Sequence, residues 1–154
     1  MKIALFDVSD VNNPKEMSKQ VIGDRGTDSE LLHNHKALLF SREKNLLAFP
    51  VTVMEIRADD KQKLPDGIPA YGSFAFQGAY IYNIDLKDGF KYRGRISHLA
   101  SEDYKMAGDS WYDSEKNIER LLYINDDLFT LSQSQIQVHA LKDLKKLGSL
   151  SLKP

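Results

Sequence analysis

Three segments of this 154-residue chain repeat one plan: an apolar strand, a short polar turn and a weaker strand. The segments are IALFDVSDVNNPKEMSKQVIG (3–23), GAYIYNIDLKDGFKYRGRISH (78–98) and SQIQVHALKDLKKLGSLSL (134–152). Two apolar hairpins, ALLFSREKNLLAFPV (37–51) and RLLYINDDLFTLS (120–132), lie between them. A hairpin followed by one repeat predicts a four-stranded antiparallel unit, which occurs about two and a half times along the chain.

The apolar runs indicate how such units pack. ALLF, LLAFPV and FAFQGAYIY are too continuous for a sheet with one wet face, so both faces are covered. Four-stranded sheets stacked face to face around an axis are the blades of a β-propeller. An immunoglobulin-like sandwich is the competing architecture, but its strands alternate more cleanly and do not repeat. We therefore predict an all-β fold, a partial β-propeller.

The predicted propeller divides into a half blade (1–23), a blade with a loop insertion at 57–72 (35–98) and a second blade (118–152). Short helical turns are predicted inside 23–41 and near 101–108, where Ser101 is the expected N-cap and Gly108 the stop. About two and a half blades cannot close a ring of 4 to 8, so self-association or membership of a larger protein is expected. Association would bury the open first-blade edge or an open blade face. The predicted strands are 2–8, 16–22, 35–41, 45–56, 72–84, 90–96, 119–124, 127–132, 135–141 and 144–152.

Composition and charge exclude several functional classes. The net charge is -1 and the basic residues are scattered, which argues against a nucleic-acid partner. The absence of cysteine excludes disulfides, thiolate metal sites and a cysteine nucleophile. No run approaches the ~18 apolar residues of a membrane span, so direct membrane insertion is not expected. The stretch MKIALFDVSD lacks the features of a signal peptide.

Four stretches carry a family resemblance: LFDVSDVNNPKE (5–16), IGDRGTDSE (22–30), HKALLFSREKNLLAFPV (35–51) and FAFQGAYIYNID (74–85). They resemble the C-terminal portion of bacterial secreted proteins with a β-propeller domain distantly related to WD-40 repeats, and 22–51 is the most specific part. The resemblance implies full-length relatives that are extracellular or at the cell surface, with a signal and more blades upstream. It therefore indicates a truncated or fragmentary propeller, and it implies no particular activity.

The segment between Asp24 and His35 concentrates carboxylates and histidines. Thr27 and Glu30 fit the capping box S/T-x-x-E, in which each side chain binds the other residue's amide. His35 precedes an inner blade strand, as the histidine of WD repeats does, and the resemblance implies a structural hydrogen-bond role. Alternatively, Asp24, Asp28 and Glu30 are calcium ligands, although their spacing does not match an EF-hand. No cofactor other than calcium is expected.

Aromatic side chains outside the predicted strands are candidates for ligand contact, because propeller binding surfaces are built from connecting loops. Two functions remain open. The first is a non-catalytic interaction or scaffold module of an exported protein that binds a protein or a glycan. The second is a propeller hydrolase or lyase that uses the 24–35 cluster. No known catalytic motif occurs, which favours the first. The candidate contact residues are Tyr71, Tyr104, Trp111 and Tyr112.

Overall fold

A computed structural model describes residues 1–58, 70–110 and 112–152, and strands dominate these ranges. None of the helices in these ranges is long and apolar enough to cross a membrane. Two 3₁₀ turns (Glu30–Leu32 and His35–Ala37) and an α-helix, α1 (Ser101–Ala107), connect the strands. The strands are β1 (Lys2–Asp7), β2 (Lys15–Val21), β3 (Leu39–Ser41), β4 (Leu46–Glu55), β5 (Ser73–Asp85), β6 (Gly89–Ile96), β7 (Arg120–Ile124), β8 (Asp127–Leu131), β9 (Gln135–Ala140) and β10 (Lys146–Ser151).

The strands form three antiparallel sheets in chain order: β1-β2, β3-β4-β5-β6 and β7-β8-β9-β10. Consecutive strands pair in each four-stranded sheet, so both are meanders. Asn45 and Asn125 have positive φ (48° and 54°) at the tight turns into β4 and β8, a conformation that asparagine tolerates better than most residues. The predicted all-β, partial propeller fold is confirmed.

The central sheet β3–β6 is buried on both faces, as its apolar runs predicted. Successive residues of β4 point in opposite directions. Leu46 and Ala48 belong to the core shared with β7–β10, whereas Leu47 and Phe49 belong to the core shared with β1–β2. A third, smaller cluster packs α1 against the ends of β4 and β5. The three sheets are thus stacked, with one apolar layer between each two adjacent sheets.

Two local predictions need correction. The strand predicted from His35 begins only at Leu39, because the Asn34 side chain accepts the Lys36 amide at 3.1 Å and caps a 3₁₀ turn. The N-cap of α1 is Ala100 rather than Ser101.

The end of α1 is as predicted, since Gly108 follows its last residue with φ +58°. Most of the predicted loop insertion at 57–72 lies outside the described residues.

Candidate functional site

Part of the 24–35 segment braces the end of β4. The Thr27 hydroxyl accepts the Met54 amide at 3.0 Å and donates to the Met54 carbonyl at 3.2 Å. The Asp24 carboxylate accepts the Ile56 amide at 2.8 Å. These side chains satisfy backbone groups where β4 leaves its sheet. Asp24 and Thr27 therefore hold the loop against the strand.

The predicted capping box between Thr27 and Glu30 is wrong. Ser29 is the N-cap, and its hydroxyl accepts the Leu31 amide at 3.2 Å. Glu30 instead accepts the side-chain amide of Asn34 at 3.3 Å, one helical turn further on. The sequence pattern fails because the Thr27 hydroxyl is engaged by β4.

Two carboxylates of the segment, Asp28 and Glu30, line an acidic cleft of about 170 Å³. Asp113 and Glu119, from the connection to β7, line it as well. Asp28 also lies 3.7 Å from the imidazole of His33. In the described ranges, no group of three His, Asp or Glu side chains is close enough to hold one metal ion. Asp24 does not line this cleft, because its carboxylate accepts the Ile56 amide after β4. The assignment of Asp24, Asp28 and Glu30 as calcium ligands stays a prediction.

His35 is exposed in the second 3₁₀ turn, and its backbone carbonyl accepts the Leu38 amide at 3.1 Å. The structural role implied for its ring stays a prediction.

Two of the predicted contact tyrosines pack α1 against β5. The ring of Tyr104 stacks on Phe74 with 5.7 Å between centroids, and the ring of Tyr112 lies 6.3 Å from Phe74. The Tyr112 hydroxyl donates to Asp103, a buried carboxylate that Lys116 approaches to 2.8 Å. The packing of Tyr104 and Tyr112 on Phe74 explains where these two rings lie. The assignment of both residues as ligand contacts stays a prediction.

Tyr71 is 68% exposed, and the Arg25 guanidinium lies 4.0 Å from its ring centroid. This cation–π pair lies at the surface, where a ligand could still reach the tyrosine ring. Trp111 lies outside the described residues.

A larger aromatic site, which we call the tyrosine cleft, lies where β2 passes β5 and β6. Tyr80, Tyr82 and Tyr92 line it together with Gln20 and Arg95, and its volume is about 520 Å³. The Tyr92 ring centroid lies 5.4 Å from that of Tyr80 and 5.5 Å from that of Tyr82, both edge to face. The cleft is thus walled by adjacent aromatic rings and flanked by side chains that donate hydrogen bonds.

The hydroxyls of Tyr82 and Tyr92 stay protonated at neutral pH. Burial, with smaller contributions from Tyr80 and Tyr92, raises the pKa of Tyr82 above its ordinary value. Burial raises the pKa of Tyr92 as well. Neutral hydroxyls both donate and accept hydrogen bonds, which suits a neutral polar ligand.

Sequence reasoning missed this cleft because its tyrosines lie within strands. The available signals were Tyr80 and Tyr82, which alternate in AYIYN and so share one face of β5. Tyr92, in FKYRG, is the antiparallel partner of Tyr82. Only the pairing register brings the three rings together.

Comparison with known proteins gives the family. An uncharacterized protein of Archaeoglobus fulgidus is 24% identical over 152 residues. The alignment covers 99% of this chain but 17% of that protein, so the chain spans a minor part of its relative. No solved structure matches. Residues 1–144 match the family model of the beta propeller domain, and the chain belongs to that family.

Proposed function

We propose that this propeller is a non-catalytic interaction module of an exported or cell-surface protein, and that it binds a neutral glycan in the tyrosine cleft. The cleft is the observation that carries the proposal. Its volume of about 520 Å³ lies within the usual range of ligand pockets. Its aromatic walls and polar flank correspond to the two surfaces of a sugar ring.

A pyranose presents C–H groups on its faces and hydroxyls around its edge. Tyr92 is 47% exposed, so a sugar face can lie against its ring. Arg95 and Gln20 supply donors for the hydroxyls. The guanidinium of Arg95 lies 4.6 Å from the ring centroid of Phe76, which holds the side chain near the cleft.

The absence of acidic groups among the residues described around the cleft supports binding rather than hydrolysis. Glycoside hydrolases ordinarily need a pair of carboxylates beside the scissile bond. The lining side chains here are aromatic, apolar, amide or guanidinium. We therefore assign no reaction to this cleft.

Calorimetric titration with neutral cello-, xylo- and chito-oligosaccharides tests the proposal. We expect Tyr92→Ala to weaken binding at least about tenfold, because the stacking surface is lost. Tyr92→Phe keeps the ring and should stay within about twofold of the native affinity. Phe40→Ala, at an exposed aromatic position on β3 outside the cleft, is the matched control and should leave the affinity unchanged.

Two outcomes would overturn the glycan assignment: no saccharide of the panel binds at millimolar concentration, or Tyr92→Ala binds as well as the native protein. Export is supported by the resemblance to secreted proteins. Its test is the genomic reading frame upstream of Met1, where we expect a signal peptide.

The acidic cleft is the place of a second candidate, a hydrolase or lyase centre, or a calcium site in which loop carbonyls would have to complete the carboxylate ligands. Asp28, Glu30, Asp113 and Glu119 line it, and carboxylate oxygens are the ligands that calcium prefers. A calcium-dependent rise in melting temperature that Glu30→Gln abolishes would favour the metal site. Glu16→Gln, on the outer face of β1–β2, is the control. Turnover of the same saccharides that is lost in Glu119→Gln would favour the enzyme.

A further inference from the structure

A second cavity, which we call the blade cavity, lies between the two four-stranded sheets. The end of β6, the connection to α1, β9 and the start of β10 line it. Its volume is about 400 Å³, within the usual range of small-ligand sites. Polar side chains dominate its lining, which includes Ser97, His98, Gln137, His139, Leu144 and Lys146.

The charge of the blade cavity is positive. Its described lining contains Lys146 and Arg95 but no Asp or Glu. The Arg95 guanidinium lies 4.6 Å from the ring centroid of Phe76, so Arg95 is already engaged. Lys146 is the antiparallel partner of His139, and directly opposed residues share one face of a sheet. Lys146 and His139 therefore present an ammonium and an imidazole side by side.

His139 has unused hydrogen-bonding capacity. It is 5% exposed, and its Nδ1 has no hydrogen-bond partner among the described residues. Buried N–H groups are left unpaired less often than buried acceptors, which places the proton of the neutral ring on Nε2. Both ring nitrogens of His98, in contrast, are engaged by Thr130 and Ser132. His139 is thus the histidine of the cavity that has an N–H to offer to a ligand.

We propose that the blade cavity binds a small oxyanion, a phosphate or a carboxylate, with Nζ of Lys146 and the Nε2–H of His139 as its donors. Hydrogen bonds from an ammonium to an oxyanion are short and strong. No carboxylate of the described lining competes for these donors. Lys146 is exposed, so the cavity opens to the surface beside it. The site goes beyond the glycan proposal and shares neither donor with the tyrosine cleft.

Calorimetric titration with inorganic phosphate, sulfate and acetate at low ionic strength tests the proposal. We expect Lys146→Gln to weaken binding at least about tenfold, because a charge-assisted hydrogen bond is lost. Lys146→Arg keeps the charge and should stay within about threefold of the native affinity. Lys145→Gln removes the same charge from the neighbouring residue, which does not line the cavity, and is the matched control.

Both lysines are exposed, so these variants should keep the native circular dichroism spectrum. Tighter binding of phosphate than of acetate would assign the site to phosphate ligands, and the reverse order would assign it to carboxylates.

The pH dependence of sulfate binding tests the role of His139, because the charge of sulfate is constant between about pH 5 and 8. Lysine and arginine side chains keep their charge in this range, and the pKa of His98 is about 4. Burial lowers the pKa of His139, and Lys146 lowers it further. A bound anion favours the imidazolium and raises this pKa, so binding takes up a proton. Sulfate affinity should therefore rise several-fold as the pH falls, and His139→Gln should remove this dependence.

NMR of the native protein gives a readout that does not depend on how well His139→Gln folds. Saturating sulfate should shift the imidazole resonances of His139 and leave those of the exposed His33 and His35 in place. The proposal fails if none of the anions binds at millimolar concentration, or if Lys145→Gln weakens binding as strongly as Lys146→Gln does. Unmoved His139 resonances at saturating sulfate would also overturn it.

Discussion

The two faces of the central sheet are built from the same strands but differ in chemistry. Toward β1–β2 the sheet presents aromatic rings, with Phe49 and Tyr82 stacked at 6.1 Å. Toward β7–β10 it presents aliphatic side chains such as Leu46 and Ile81. Successive residues of β4 point to opposite faces, so neighbouring residues such as Leu46 and Leu47 belong to different layers.

Among the described residues, two sets of buried side-chain hydrogen bonds cross the aliphatic layer. Nε2 of His98 lies 2.8 Å from the Thr130 hydroxyl, and its Nδ1 lies 3.2 Å from the Ser132 hydroxyl. Gln77 spans the two blades, with its amide on the Ile118 carbonyl at 3.1 Å and its oxygen on the Ile118 amide at 3.0 Å. The aromatic layer is held mainly by area and shape, with one bond from the Phe90 amide to the Ser18 hydroxyl at 3.3 Å, whereas buried side-chain bonds add to the aliphatic layer and fix its register.

The largest expected loss of stability comes from a substitution in the aromatic layer. Phe49 is fully buried, so Phe49→Ala should lower the free energy of unfolding by about 3 to 5 kcal/mol. Phe40→Ala, at a 55% exposed position on β3, is the control and should change it by less than about 1 kcal/mol. Urea denaturation measures both. Equal losses would show that the aromatic layer is not a stabilising interface.

The next effect is on the directional bonds of the aliphatic layer. Gln77→Ala leaves the amide and carbonyl of buried Ile118 without their partner, which should lower the free energy of unfolding by about 2 to 3 kcal/mol. Gln133→Ala, which removes an exposed contact to Glu119, should be nearly neutral. If Gln77→Ala matches Gln133→Ala in urea denaturation, the two blades do not depend on this clamp.

The sequence predicted the strands and their grouping because both are encoded locally. The apolar runs, the turn asparagines and the repeated strand-turn-strand plan each lie within a few residues. The continuous run LLAFPV correctly indicated two covered faces, since Leu47 and Ala48 are both buried but on opposite sides. The sequence alone did not show that the two faces differ in chemistry.

The site residues could not be predicted in the same way because their partners are distant in the chain. Thr27 fitted a local capping pattern, yet its hydroxyl binds Met54, 27 residues away. Tyr80 and Tyr92 join one cleft only through the register of β5 and β6. Local patterns set the geometry of turns, whereas sheet pairing decides which side chains meet.

The third prediction uses pH to separate the layers. Burial, with smaller contributions from His139 and Lys146, lowers the pKa of His98 from 6.5 to about 4. Between these values the unfolded chain binds more protons, so the free energy of unfolding falls as pH drops from 6.5 to 4. The His98 share of this loss should be about 2 kcal/mol.

Urea denaturation at pH 7 and pH 4.5 of the native protein and of His98→Gln isolates this contribution. We expect the variant to lose less stability in acid than the native protein does. A native-like slope in His98→Gln would show that His98 is not the group that couples the aliphatic layer to pH.

The smallest expected effect concerns the one hydroxyl contact between Tyr123 and Ser41, which joins β7 to β3 at 3.2 Å. Tyr123→Phe keeps the ring in the aliphatic layer and removes only the donor, so the free energy of unfolding should fall by about 0.5 to 1 kcal/mol. Ser41→Ala removes the acceptor and also its bond with the Lys44 amide at 3.3 Å, so its loss of stability should be larger.

The double variant of Tyr123→Phe and Ser41→Ala should lose less stability than the sum of the two single losses, because the shared bond is removed only once. Full additivity in urea denaturation would show that this contact contributes nothing to the register of the two blades, and that the clamp at Gln77 and the His98 pairings set it without help from β3.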